Sequence, residues 1–362
     1  MPLAPYLHYE PGLEKPKPTE AETARAIVSS IKRTSATSAR THRHGIRQQH
    51  AKGHGFVRGE LSVYENLPQH LRQGLFAEPR SYSVIIRFST AFGDLRSDRV
   101  RVPRGMAIKV LGVAGPKSLA DDDSDNQDFL LVNHKSYFAD ASAYLGAQRI
   151  FELQPRIPDF GLRALGALAR GLVSISSMTG VKLPMLLYAL GDKGSHILGE
   201  TFYSEGALRY GDYICRLSAT PVSTAARALT GQPANDCDEV LREKVVEFFS
   251  ANSAEYELSA QLCVDLARTP IEDASIDWPE DLTPFQPVAK ITIPSQSADS
   301  PARRAYAQDV LSFNPWRSLL AHQPLGSIMR LRKDVYRASA KLRHKANKTA
   351  LHEPKDLAEF PD

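Results

Sequence analysis

The sequence predicts an α+β protein built on an antiparallel sheet or barrel. Three observations carry that expectation. Short apolar or alternating segments, bounded by turn residues, recur between about residue 55 and residue 300. Helical periodicity is collected in an insertion at about 140–200 and again from about 301 to 350, rather than alternating with the strands. No GxGxxG, P-loop, GxSxG or internal repeat occurs.

The elements follow in order. Residues 1 to about 20 are rich in Pro, Glu and Lys and read as an extended arm ahead of one domain, 21–362. Ala21 to about Arg33 is helical in period. Val57, Gly59, Leu61 and Val63 alternate with Arg58, Glu60 and Ser62, the pattern of a half-buried strand. SVIIRFS (83–89), GMAIKVLGV (105–113) and DFLLV (128–132) are short apolar runs between turn residues, hence strands.

The stretch 157–190 is helical and unusually apolar, but charge or proline interrupts every window of about 18–20 residues, so no membrane span is expected. A packing layer or a homodimer interface is its plain reading. LRYGDYICRLS (208–218) reads as a strand, and 236–249 as an amphipathic helix capped by Asn235 or Asp236. Tyr256, Leu258, Ala260, Leu262, Val264 and Leu266 share one face of the cleanest strand, and 287–293 forms another. The remainder from about 301 is helical.

Composition narrows the class without choosing a function. With 42% apolar and 24% charged residues over 362 positions, the chain is an ordinary globular protein. The 45 Lys and Arg against 41 Asp and Glu leave +4, too little to demand a nucleic-acid or membrane partner. Cys215, Cys237 and Cys263 are odd in number and form no CxxC, which suits a reducing compartment. The first 18 residues lack the apolar core of a secretory signal, so a cytoplasmic location is expected.

Two patches stand out chemically. THRHGIRQQHAKGHG (41–55) holds His42, His44, His50 and His54. A metal site would need a carboxylate or cysteine nearby, and a nucleic-acid patch would want interleaved aromatics; the segment has neither. A solvated loop before a strand is the third reading. The second patch, 324–348, carries eight Lys or Arg from Arg330 to Lys348 against one acid, Asp334. Ile328, Leu331, Val335 and Leu342 give it an apolar helical stripe. Arg332, Tyr336, Ser339 and Arg343 return to within roughly 40° of one another at about 100° per residue. One helix face therefore presents a phenol between two guanidinium groups, with Arg332 placed to lower the tyrosine's pKa. Tyrosinate is a known proximal haem ligand; an exposed basic helix whose tyrosine merely packs is the alternative.

Taken together, these segments resemble a catalase core. R47-Q-Q-H50-A-K-G is similar to the distal-histidine segment of catalases. R87-F-S-T-A-F-G-D and P103-R-G-M-A-I-K resemble the two strand motifs that follow it. D125-N-Q-D-F-L-L-V with Phe138 beyond it resembles the strand bearing the distal asparagine and the haem-packing phenylalanine. R332-K-D-V-Y336 resembles the proximal Arg-x3-Tyr motif, and Arg343 keeps the further seven-residue spacing of a propionate-binding arginine. The pattern covers roughly 45–140 and 205–345 in order.

The resemblance implies a catalase-like antiparallel β-barrel with flanking helices, and a ferric haem b enclosed between the barrel and the C-terminal helix. It implies Tyr336 as iron ligand with Arg332 stabilising its phenolate, His50 as distal acid/base and Ser89 fixing the His50 ring. Asn126 would hydrogen-bond the peroxide, with Gln127 one residue of slippage away. Arg47, Arg87 and Arg343 would neutralise the propionates, and Phe138 would pack on the porphyrin. The activity implied is reduction of hydrogen peroxide or an organic hydroperoxide through a ferryl intermediate, with a small organic electron donor and no nucleic-acid partner.

The chain departs from classical catalases in length, with no long wrapping region or trailing domain expected. Gln48 and Gln49 stand where small apolar residues are usual. It is similar to the minimal catalase-related peroxidases, a group that includes allene oxide synthases. Isomerisation of a fatty-acid hydroperoxide is therefore the second enzymatic expectation, and a haem carrier or sensor the non-enzymatic one.

Overall fold

The structure, a computed structural model, describes residues 6–153, 156–181, 183–234 and 237–362. Its centre is an eight-stranded antiparallel barrel. The strands are β1 (Gly53–Val63), β2 (Ser81–Thr90), β3 (Arg104–Leu111), β4 (Asn126–Val132), β5 (Phe202–Ser204), β7 (Tyr213–Pro221), β8 (Ala254–Leu262) and β9 (Gln286–Ile293). The circuit runs β8-β9-β1-β2-β3-β4-β5-β7 and closes through β7–β8. Two short strands, β6 (Ala207–Tyr210) and β10 (Pro324–Leu325), extend it beside β7. Closure leaves the eight barrel strands no free edge.

The apolar runs in the sequence have a simple cause here: these strands are covered on both sides. Val84, Ile86 and Phe88 of β2 point into the barrel core with Met106, Ile108 and Val110 of β3 and Phe129 and Leu131 of β4. The alternate residues face outward and are buried too, Ile85 against Phe56, Leu311 and Phe313. A strand buried on both faces loses the polar half of its alternation.

Over this outer face lies a helical layer. α1 (Glu20–His42) and α2 (Ala141–Phe151) pack against α8 (Ser327–Asn347) through Ile27, Ile31, Ala141, Tyr144, Ile328, Leu331 and Val335. α3 (Asp159–Thr179) and α4 (Met185–Leu190) form the apolar insertion. α5 (Thr224–Arg227), α6 (Val240–Ala251) and α7 (Pro301–Ala305) follow, with Val245, Phe248 and Phe249 of α6 packed into the barrel core cluster.

Several boundaries differ from the sequence expectation. α1 runs nine residues past Arg33, so His42 sits in its last turn. The segment 157–190 is two helices, because Gly180 adopts φ +73 and Pro184 follows. The segment 208–218 is a hairpin: Gly211, at φ +61, turns β6 into β7 where a β-branched or bulky residue would be strained. The strand at 256–266 begins at Ala254 and ends at Leu262. The helix expected from 236 begins at Val240; the expected caps, Asn235 and Asp236, lie outside the described residues. The region after α7 leaves helix at Leu311 and, apart from a 3₁₀ turn at Leu320–His322, returns to it at Ser327.

Candidate active site

The site lies outside the barrel, between the outer faces of β2 and β3 and the helix α8. A cavity of about 1010 Å³ adjoins one of about 760 Å³, and the two share Gln49, His50, Glu205, Val335 and Tyr336 as walls. His50 and Tyr336, 286 positions apart in sequence, therefore face one space.

His50 belongs to no regular element. It precedes β1 in the left-handed region, at φ +52, a conformation that is uncommon outside glycine and collects at functional sites. Its Nδ1 lies 3.1 Å from Ser89 Oγ, an alignment produced by the β1–β2 register that sets Gly53 opposite Ser89. Gly105 is the next residue in the same row, paired with Ser89 on one side and Val132 on the other. A Cβ there would come within 2.5 Å of His50 Cε1 and 2.6 Å of Nδ1, so only glycine lets the ring lie against β3. Burial, followed by the nearby Arg87 and Arg332 charges, lowers the His50 pKa to about 3. The imidazole is neutral at physiological pH, with Nε2 left for a ligand.

On the opposite wall, Arg332 Nη2 donates to Tyr336 Oη at 2.7 Å. The pairing follows from the four-residue helical spacing. Arg332 Nη1 meets Glu205 Oε2 at 3.1 Å, and Tyr137 hydrogen-bonds that same carboxyl. The expected electrostatics need correcting here. Burial raises the Tyr336 phenol above its ordinary value; Arg332 pulls down and Glu205 pushes up, and the net is upward. Burial also opposes the Arg332 charge, but Glu205 and Tyr336 more than offset it and hold the guanidinium cationic.

The remaining basic residues form a third feature. Arg47, Arg87 and Arg343 line the smaller cavity. Arg47 donates to the Ala307 and Leu311 carbonyls at 2.7 and 2.6 Å. Arg87 donates to the His50 carbonyl at 2.6 Å, and Arg343 to the Asp309 and Leu311 carbonyls at 3.0 Å each. Among the described residues none of the three forms an ion pair; Asp309 is engaged by His44 at 2.6 Å instead. Burial lowers all three pKa values, with Arg343 adding to the effect on Arg47 and Arg87; Arg87 falls to about 9 and Arg343 to about 10. The Arg87 Nε is buried without a partner. Three converging cations with no carboxylate between them suit a ligand carrying two negative charges.

Phe138, 8% exposed, lines the larger cavity edge-on to Tyr144. Of the residues expected at the site, His50, Ser89, Arg47, Arg87, Phe138, Arg332, Tyr336 and Arg343 are brought to these cavities. Asn126 is not. It lies on the outer face of β4 but at the far end, opposite Leu111, whereas Val132 pairs with Gly105. Those six residues correspond to about 20 Å of strand. Its amide donates to the Pro354 carbonyl at 3.0 Å, and Gln127 accepts from the Leu319 N–H at 2.8 Å. The amide that does line both cavities is Gln49, hydrogen-bonded to Tyr144. Glu205 was likewise invisible in the sequence: it occupies the turn between β5 and β6, and no local pattern marks it.

The remaining histidines of 41–55 diverge. His42 bonds Asp94, His44 bonds Asp309, and His54 is buried against Thr90. Among the described residues no three His, Cys, Asp or Glu side chains converge as a metal site.

No protein-family model and no curated protein matches the chain. Solved structures do. A fungal catalase superposes with a TM-score of 0.59 at 17% identity, over 94% of this chain and 65% of its own. Catalase A from Saccharomyces cerevisiae gives 0.59 at 18% identity, over 94% and 68%. A bacterial catalase gives 0.54 at 15% identity, over 87% and 62%. The chain thus spans about two thirds of the length of the catalases it matches. An eight-stranded barrel overlaid by α8, with this coverage at such low identity, is a catalase-like fold.

Proposed function

We propose that the chain is a haem-dependent peroxidase with catalase-like chemistry, acting on hydrogen peroxide or organic hydroperoxides. One observation carries the reading: a neutral, Ser89-linked His50 and an Arg332-bound Tyr336 face one cavity, beside Arg47, Arg87 and Arg343, none of which forms an ion pair among the described residues. The donor set fits haem, since a phenolate suits ferric iron and two propionates would satisfy the cations. Tyr336 would hold the iron through its phenolate oxygen, and Arg47, Arg87 and Arg343 would hold the propionates.

When bound, the haem would supply the redox-active iron that makes peroxide cleavage possible. The chain's own residues do the rest. With Nδ1–H donating to Ser89 Oγ, Nε2 of His50 is the base that takes the proton from the hydroperoxide. The same nitrogen returns that proton to the outer oxygen as it departs as water or alcohol. Burial suits this cycle by keeping the ring uncharged at rest. Gln49, which lines both cavities, offers an amide for the peroxide. Arg332, locked by Glu205, stabilises negative charge on Tyr336 Oη, which the buried phenol resists by itself. Two electrons from a second hydrogen peroxide would give catalase activity, and from an organic donor peroxidase activity.

A second reading, isomerisation of a fatty-acid hydroperoxide, draws on the apolar wall that Met185, Leu186, Ala189 and Leu190 of α4 give the larger cavity. The test is hemin titration of the wild type and Tyr336→Phe, followed by hydroperoxide with and without an electron donor. A Soret band with a high-spin charge-transfer feature, lost in the variant, is expected. Donor-dependent consumption marks the peroxidase, and donor-independent conversion the isomerase. A chain that refuses hemin overturns both.

A further inference from the structure

The helix α3 is amphipathic in the reverse sense. Apart from Leu162, its buried positions are small, Gly166, Ala169 and Ser176: a Cβ on Gly166 would come 3.1 Å from the Leu190 carbonyl, and Ala169 backs onto Gly191. Its bulky apolar side chains point outward. Phe160, Leu165, Leu168, Leu172, Ile175 and Met178 are all exposed, Met178 at 86% and Phe160 at 74%. A contiguous exposed apolar face of this kind marks an interaction surface. Beside it, Arg101, Arg163 and Arg170 line a groove that Phe160 also borders, together with Arg99, whose guanidinium meets Asp238 at 3.7 Å. Burial lowers the Arg170 pKa and Arg101 adds to the effect.

We propose that α3 docks the protein on an anionic phospholipid surface, its apolar face among the acyl chains and Arg101, Arg163 and Arg170 on headgroup phosphates. A bulky apolar face bordered by guanidinium groups is the composition of a helix lying in the membrane interface. Among the described residues no helix is long and apolar enough to cross a membrane. A second copy fits this face less well, since a two-fold contact would bring the same arginines of both copies together. On the proposed peroxidase reading, docking has a further use: α4, packed against the inner side of α3, forms a wall of the larger cavity, so docking would bring that cavity close to the lipid.

The experiment is flotation of the full chain with vesicles of phosphatidylcholine alone, and with about 30 mol % phosphatidylglycerol, at low and high salt. Binding to the anionic vesicles is expected, weakened by salt and roughly tenfold weaker on the neutral ones. Leu168→Asp with Met178→Asp should abolish flotation, and Arg163→Gln should weaken it roughly fivefold, with the circular dichroism spectrum unchanged. Failure of the wild type to float, or flotation of the double variant like the wild type, would overturn the proposal. So would a wild type that sediments as a dimer, does not float, and becomes monomeric in the double variant. Flotation needs no hemin: a chain that floats but refuses hemin refutes the peroxidase reading alone, and one that consumes peroxide without floating refutes docking alone.

Discussion

Replacing Gly105 by alanine should disable the site while leaving the fold standing. The added methyl would lie 2.5 Å from His50 Cε1, 2.6 Å from Nδ1 and 3.2 Å from Ser89 Oγ. Non-bonded carbons rest at about 3.5–4.0 Å, so one partner must retreat by about 1 Å. The strand is the stiffer of the two, because Gly105 is paired on both sides inside a closed barrel. His50 is attached to an irregular segment already in the left-handed region, so the ring moves and its 3.1 Å contact with Ser89 is lost. Overpacking of this size costs about 1–3 kcal/mol of stability. A catalytic group displaced by about 1 Å costs on the order of 100-fold in turnover. The assay is hydroperoxide consumption by hemin-loaded wild type and variant, with hemin affinity measured in parallel. Affinity should hold, since Tyr336, Arg332 and the three arginines are untouched, while turnover falls by that factor. Wild-type turnover with hemin bound would refute the assigned role of the His50–Ser89 alignment.

Other perturbations test separate parts of the structure. Lys109, fully buried, bonds Asp128 and Glu353 at 2.7 Å each; Lys109→Met removes one of the two cations that pair these acids, leaving Arg317 and neutral donors, and denaturant melts should show a loss of about 3 kcal/mol. Arg343→Leu removes one of the three cations and should weaken hemin binding roughly tenfold or more by titration, with the Soret position unchanged. His196 and His322 are buried with pKa values lowered to about 4, and their ring nitrogens accept the Leu198 and Leu75 N–H groups. The unfolded chain, with histidine near 6.5, binds these protons more readily, so stability is full above about pH 6.5 and falls as the pH drops toward 4. From about pH 7.5 to about pH 5 the loss should be on the order of 2 kcal/mol for each histidine, and His322→Gln should flatten the dependence. A urea midpoint that does not move over that range would contradict it.

What the sequence by itself determined about this protein was local and periodic. The alternation in 57–63 and the apolar runs at 83–89, 105–113 and 128–132 mark real barrel strands. Arg332, Tyr336 and Arg343 could be placed on one face because a single helix joins them, and 3.6 residues per turn does the rest. The same periodicity is silent on which rows of different strands meet. β5, only three residues long, leaves no alternation to read, and one left-handed glycine, Gly211, turns an apparent strand into a hairpin.

Asn126 shows the limit most clearly. Its motif lies on β4 and its side of the strand is the outer one, yet antiparallel pairing sets Val132, six residues on, beside Gly105 and His50. Gln49 and Glu205 reach the cavity from a loop and a turn, where no period constrains direction. Barrel closure and strand register, which depend on hydrogen bonds between distant segments, decided that His50 and Ser89 would share one cavity with the α8 face. The electrostatics were also tertiary: burial, which no sequence spacing encodes, decides the sign of the Tyr336 shift against Arg332 and keeps His50 neutral.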